Sequence, residues 1–479
     1  VNWHLLLTIA RREMTEMTRD GRFRWAGAIV LGLLLVSLGM GWKHAREVGA
    51  QHQAAQHHTR HQWLHQGKKN PHLAAHFGIW VFKPRSVLSM ADTGIEPYTG
   101  IAAKLEAHNR SEFKYRPARD TTAVGRFGQL SAALTLQVLV PLLIVLLCFG
   151  SFAGERETGT LRQVLALGVP RANLAWGKAL GASGALSLLL LPAAVLGAVA
   201  LGLNSTSSHQ SGDMWVRAGL MALGYALYFG AFVGVSLGVS ALASSSRTAL
   251  LLLLGFWVAN SLLVPRAAAD MGRRLYPTPT QWEFTQATQR EFKEGVKGGD
   301  TQKKREAALE ARLLKQYRVK SIDKLPVDYV GVMLIEAEAY IDPIYDRHWK
   351  RIWAMHQRQN ELQLWGALLA PLPAMRDFSM GMAGTDTASH QHLSLAAENY
   401  RRDFVRTLNV EWAYNSTEKM FLKNVRDRKT WERVPPFSYQ PPRAVWALSQ
   451  HLHALALLGA WFGVGVLVCS LGAYKMRVD

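Results

Sequence analysis

The chain runs to 479 residues and carries 55 Lys+Arg against 35 Asp+Glu, a formal net charge of +20; 49% of it is hydrophobic and only 19% charged. Hydrophobicity this high excludes a disordered chain, and a total of two cysteines, Cys148 and Cys469, excludes a disulfide scaffold. Long uncharged apolar runs alternate with long charged stretches, a pattern of membrane proteins rather than of soluble enzymes.

Residues 1–24 begin with the apolar Trp3–Ala10 and continue as a charged amphipathic stretch without a small-residue cleavage site. They read as a helix in the cytoplasmic interface, not as a cleaved signal peptide. Leu6, Ile9, Ala10, Glu13, Met14 and Met17 fall at helical spacing, with arginines placed for lipid headgroups. Six uncharged runs then reach the ~18 residues that cross a ~30 Å hydrocarbon core. They are Trp25–Trp42, Leu130–Ala153, Ala179–Leu203, Ala218–Ala243, Thr248–Pro265 and Val445–Tyr474. Trp25 and Trp42 bracket the first as interfacial anchors.

Two long inserts interrupt the spans. Lys43–Gln129 holds 13 basic and 6 acidic residues, and Arg266–Arg443 holds 29 and 22, so each is net +7. In the second, Thr285–Ile322 is rich in strong helix formers, and Tyr345–Leu364 alternates charges with Ile352, Trp353, Met355 and Leu362. The apolar piece Trp365–Met375, with Pro371 and Pro373, is too short to span; it reads as a surface docking segment or as domain core. Neither insert has a cysteine, so both rest on packing, and together they are expected to form one mainly helical domain with little strand.

Lys and Arg set the orientation. They gather in the N-terminal arm (Arg11, Arg12, Arg19, Arg22, Arg24) and in residues 154–178 between spans two and three (Arg156, Arg162, Arg171, Lys178). They recur at Arg247 and in the tail (Lys475, Arg477), while Asn204–Asp213 has none. Both termini are therefore expected in the cytoplasm and both inserts outside. The expected fold class is an all-α polytopic membrane protein with six transmembrane helices, an N-terminal interfacial helix and a mainly helical extracytoplasmic domain.

The densest local pattern is Gly154-Glu-Arg-Glu-Thr-Gly-Thr-Leu-Arg162, followed by Gly168-Val-Pro-Arg171 and Trp176-Gly-Lys178. Thr158 or Thr160 is placed to cap a short helix, and Pro170 with the glycines sets sharp turns. On spacing alone an ordinary charged hairpin is an equal reading. The Gly-Lys at 177–178 is no phosphate loop, because position 172 is Ala and Ala179 lacks the hydroxyl for magnesium. His57, His61 and His65 share a helix face at a spacing that can ligate Zn or Cu, yet no local carboxylate or cysteine completes a set. A solvated surface is the better reading there, with no metal expected. His72 and His76 read as bracing a turn. The carboxylate pairs Glu336/Glu338 and Asp342/Asp346 carry no recognisable catalytic arrangement. Gly230, Gly234 and Gly238 recur every four residues in span four, as do Gly177/Gly181 and Gly459/Gly463 elsewhere, a spacing for close helix packing. Packing within one subunit and a dimer interface fit it equally. Apart from His451 and His453 at an edge, the spans hold no ionisable residue, which disfavours ion-coupled transport.

The run Glu-Arg-Glu-x-Gly-Thr-Leu-Arg, then Pro-Arg and Gly-Lys, resembles the cytoplasmic loop of type-2 ABC transporter permeases. Ile9-Ala-Arg-Arg-Glu13 through Arg19-Asp-Gly-Arg22 is similar to their N-terminal connector helix. Asn70–Gly78, Ser379–Asp386 and Ala396–Arg401 resemble a subfamily with large extracytoplasmic inserts, grouped loosely with copper-enzyme maturation permeases. One departure is Pro170, where many relatives carry a small polar residue. The resemblance implies a membrane subunit driven by a separate cytoplasmic ATPase, seated on it through Glu155, Arg156, Glu157, Gly159, Thr160, Leu161, Arg162, Pro170 and Arg171. Arg11, Arg12, Glu13 and Asp20 would steady the connector helix. It further implies no cofactor in this chain, with ATP and Mg on the ATPase, and no enzymatic activity of its own. A second identical or similar permease, membrane lipid and a cargo of unstated identity are the expected partners, without nucleic acid. The expected setting is a bacterial cytoplasmic membrane and the expected role ATP-driven export. A subunit that works its outer domain against an extracytoplasmic partner, and a membrane-anchored metal-handling protein, are the alternatives.

Overall fold

The computed structural model describes residues 2–119, 131–203, 208–296, 298–416 and 423–476. Leu130, the start of the Asn204–Asp213 connection and Arg477 lie outside them. Among the described residues six helices are long and apolar enough to cross a membrane. Ahead of them, α1 (Trp3–Arg19) is capped by the Asn2 side chain and buries Leu6, Glu13 and Met17 along one stripe. Asp20, in extended backbone, ends α1 and caps the next helix by accepting the Arg22 amide.

That next helix, α2 (Gly21–Leu64), is 44 residues long. At about 1.5 Å per residue it measures roughly 66 Å, twice the hydrocarbon core. The helix therefore does not stop at Trp42: the Gln/His/Ala-rich lead-in to the first insert continues it. Its far end is anchored by Trp63, 1% exposed, whose Nε1 donates to the Trp431 carbonyl at 2.9 Å.

Short α3 (Pro71–Phe77) follows, then strands β1 (Ile79–Phe82) and β2 (Ala102–Leu105), paired antiparallel with Ile79 opposite Leu105. The second span enters at Ala132, passes a π-turn at Thr135–Leu139 and continues as α4 (Val140–Cys148). Two small helices, α5 (Ala153–Glu157) and α6 (Thr160–Ala166), lead to α7 (Arg171–Leu203), the third span. The fourth is α8 (Ser208–Leu242). The fifth is α9 (Ser246–Val258), joined through a π-turn at Ala259–Leu263 to α10 (Val264–Leu275).

The second insert contains α11 (Gln281–Glu294), α12 (Gln302–Tyr317), α13 (Tyr329–Trp365), α14 (Leu372–Ala383), α15 (Thr387–Tyr414) and α16 (Arg428–Glu432). The single helix suggested by Thr285–Ile322 is broken between α11 and α12, where Gly295, Gly298 and Gly299 all take positive φ. Residues of both inserts share one core: Trp63, Ile79, Val81 and Leu105 from the first meet Phe404, Leu408 and Trp431 from the second. The sixth span, α17 (Ala444–Lys475), kinks at His451, whose φ of −117° and ψ of 16° leave the helical region.

Spans four and six pack backbone to backbone. A Cβ on Gly234 would lie 2.5 Å from the Gly465 backbone, and one on Gly238 2.5 Å from the Val468 carbonyl oxygen; Gly230 faces the Phe462 ring. The glycine ladder thus serves contact within one chain. Gly459 has open space instead.

The apolar piece Trp365–Met375 is divided: Trp365, Leu368 and Leu369 are exposed, and the rest is buried away from the insert core. Ala367, Leu372, Ala374 and Met375 are fully buried in the cluster formed by the spans. Non-helical backbone at such depth needs partners inside the protein. The Trp461 Nε1 donates to the Ala367 carbonyl at 2.6 Å, and the Leu372 amide donates to Asn260 Oδ1 at 2.9 Å. Trp461 and Asn260 sit in the middles of spans six and five, so this turn dips into the bundle and α14 climbs out of it.

Candidate functional site: the elbow between spans two and three

Gly159, at φ 77°, turns the chain between α5 and α6, a left-handed conformation that favours glycine. No side chain caps α6: the Thr158 and Thr160 hydroxyls, candidates for that cap, turn back instead and donate to the Gly154 and Glu155 carbonyls at 3.1 and 3.2 Å. Leu161 is fully buried beneath the elbow. The triplet Glu155-Arg156-Glu157 engages this chain. Arg156 donates to the carbonyls of Ala241 and Ala243 at 2.7 and 2.5 Å, the C-terminal end of α8. Glu157 accepts from the Ser246 amide and hydroxyl at 2.8 and 2.9 Å, the N-terminal end of α9. Both placements match the helix dipoles, cation at the C-terminus and anion at the N-terminus.

Glu155 meets Lys178, which belongs to the motif but was given no partner by it. Lys178, 3% exposed, donates to Glu13 Oε2 and to Glu155 Oε1, both at 2.8 Å. One ammonium thereby joins α1, the elbow and the third span. Close approach allows this, because a Cβ on Gly177 would lie 2.6 Å from Ile9 and one on Gly181 2.6 Å from Glu13. That glycine pair seats the connector helix. The Asn173 amide also donates to the Asn2 carbonyl at 2.7 Å.

Arg162, Leu167, Pro170 and Arg171 face outwards, Leu167 at 84% exposure. Arg171 additionally donates to the Tyr474 carbonyl at 2.9 Å, near the end of span six. On α1, Arg11 is exposed and Arg12 pairs with Glu16 at 2.8 Å in an exposed i, i+4 bridge.

Residues 7–295 match the family described as ABC-2 family transporter protein. The chain belongs to the ABC-2 transporter family. It is a multi-pass membrane protein, and membership implies in general a partner ATPase subunit. Residues 281–440 match a second family, described as a domain of unknown function (DUF3526), which takes in most of the second insert. No curated protein matches the chain.

In this ABC-2 chain residues of the two inserts bring charge against the spans. His451 is buried between Asp377, 2.7 Å from Nδ1, and Asp386, 3.1 Å from Nε2. Buried Asp92 accepts from the Ser379 hydroxyl at 2.5 Å. Ser379 lies 3.3 Å from the Tyr225 hydroxyl, to which the Gln137 amide donates at 3.2 Å. Tyr228 donates to the Gln137 carbonyl at 2.8 Å and accepts from Asn260 at 3.1 Å. Gln137 and Asn260 each sit in one of the two π-turns, a helix defect frequent at functional sites.

His57 and His61 are exposed on the C-terminal half of α2 and His65 is exposed just past its end, where its Nε2 is 3.4 Å from the Arg428 guanidinium, a poor neighbour for a cation. Among the described residues the histidines that converge are His72, His76 and His108.

Proposed function

We propose that this chain is the permease subunit of an ATP-driven exporter in a bacterial cytoplasmic membrane. Both termini lie on the cytoplasmic side, the insert domain lies outside, and an identical or similar permease completes the assembly. ATP and Mg belong to the separate ATPase, and this chain catalyses nothing itself. Exposed Trp3, Leu7 and Trp25 suit contact with lipid.

The observation that carries the reading is the division of labour at the elbow. Glu155, Arg156 and Glu157 bind it to α1, α7, α8 and α9, so a push on its outward face reaches four elements at once. Arg162 and Leu167 form that outward face, a charge for register and an apolar knob for a groove. The test is co-purification of the ATPase subunit in mild detergent with Arg162→Glu and Leu167→Asp. Loss of the ATPase is expected, while Leu395→Asp on the insert domain leaves it bound. Undiminished recovery with both elbow variants would overturn the assignment.

One observation favours a second, mechanical reading, in which motion of the spans is delivered to an extracytoplasmic partner without cargo crossing. It is the unbroken run of α2 from the membrane to Trp63. A flexible Gly-Ser insertion after Gly49 would abolish function on that reading and leave transport of cargo intact on the first.

A further inference from the structure

We propose that His72, His76 and His108 form a zinc site in the insert domain, with a fourth coordination position open to solvent. His72 and His76 stand one turn apart on α3, and His108 comes from the loop after β2, at φ 68°. Their Nε2 atoms converge: His76 is 3.1 Å and His108 3.3 Å from His72. Two nitrogens bound at about 2.0–2.1 Å to a tetrahedral ion lie about 3.3–3.4 Å apart, so the spacing is close to that of a coordination edge.

Hydrogen bonding on the far side of the rings strengthens the case. His108 Nδ1 is 2.9 Å from Glu338 Oε1, and a carboxylate only accepts, so Nδ1 carries the proton. His72 Nδ1 is 3.3 Å from Asn409 Oδ1, again an acceptor. In the neutral rings both Nε2 atoms then present lone pairs to one another, and His76 has a single proton with which to satisfy them. A cation between the three removes the conflict. The outer partners match those that orient metal-bound imidazoles, a carboxylate on one ring and an amide oxygen on another. Glu338 is fixed in turn by Arg401 at 3.2 Å.

Three imidazoles without a thiolate suit zinc and related d-block ions rather than calcium or magnesium, which take oxygen ligands. His72 is buried, whereas His76 is exposed and His108 half-buried, so the unfilled position faces water. Both outer partners come from the second insert while all three ligands come from the first. Bound metal would staple the two together.

The experiment uses the untagged full chain in detergent, stripped with a chelator and dialysed against buffered Zn2+, with metal counted by mass spectrometry. About one equivalent is expected, lost with His76→Gln and with His108→Asn, a residue that tolerates positive φ. Glu338→Gln should weaken binding about tenfold to a hundredfold. The triple variant His57→Ala, His61→Ala, His65→Ala should keep the full equivalent. Co2+ in place of Zn2+ should give the visible absorption of a tetrahedral site in the wild type and in the triple variant, and not in His76→Gln or His108→Asn. The melting temperature of metal-free His76→Gln, equal to that of the stripped wild type, establishes that it folds. A wild type that takes up no Zn2+, or a His76→Gln that binds as tightly, overturns the proposal in favour of a purely hydrogen-bonded triad. Neither result bears on the ATPase assignment.

Discussion

Replacing Lys178 with methionine keeps the side chain's length and removes its charge. Glu13, 7% exposed, then loses its only basic hydrogen-bond partner among the described residues. Removing one member of a buried ion pair costs about 3–5 kcal/mol, since the other charge stays desolvated. Glu13 can escape part of this by taking up a proton, so the lower figure is the one expected. Even that is more than a hundredfold in an equilibrium, at about 1.4 kcal/mol per decade. Glu155 adds little, because its side chain is 25% exposed and can be hydrated. Converting the pair to neutral groups, Glu13→Gln with Lys178→Met, removes both buried charges, an exchange that is often nearly neutral. The expected order of melting temperature in detergent is wild type, then the double variant close behind, then Lys178→Met well below. ATP hydrolysis by the reconstituted complex should follow the same order. A Lys178→Met that melts with the wild type refutes the reasoning. So does a double variant that melts as low as the single one, since the loss would then be packing and not charge.

Four further outcomes follow from the structure. Gly234→Leu, whose Cβ would fall 2.5 Å from the Gly465 backbone, should lower the melting temperature sharply, by the equivalent of about 1–3 kcal/mol or more. Gly459→Leu, with open space around it, should leave the melting temperature unchanged or raised. Arg401 is fully buried and bonds Glu398 through two nitrogens, both at 2.9 Å, and Asp342 at 2.8 Å. Arg401→Lys cannot reproduce that fork and should unfold the insert domain at lower denaturant, measured by tryptophan fluorescence. Burial, then the nearby Lys83, Arg116 and His356, push His390 from 6.5 down to about 3. The unfolded chain therefore binds the extra proton first, and stability contributed by the neutral ring is lost as pH falls from about 6.5 towards 3. His390→Leu should flatten that part of the melting profile; an unchanged slope would count against it.

The spans and α1 were legible because uncharged length and a 3.6-residue stripe are properties of one contiguous stretch. Convergence across the chain was not. Nothing beside Lys178 marks it as a partner of Glu13, 165 residues away, and its Gly-Lys context drew attention to nucleotide binding instead. The histidine reading weighed His57, His61 and His65 for their regular spacing and preferred a solvated surface, whereas the converging set needs His108, brought in by a loop at positive φ. The break near Gly295 could have been read from its glycines, but the helix-forming composition on both sides outweighed them. Glu155, Arg156 and Glu157 stood out as a charged stretch, yet which of its faces turns inwards depends on Ser246 and Ala243, far along the chain.

The turn at Ala367 bears on how the molecule is made. Trp365–Met375 emerges from the ribosome after five spans and before the sixth, and must reach its seat among helices already inserted. Until α17 arrives, the Ala367 carbonyl lacks the Trp461 Nε1–H from which it accepts. Seating of this turn therefore waits for the sixth span, and a chain truncated before Ala444 should be an open, quickly degraded intermediate.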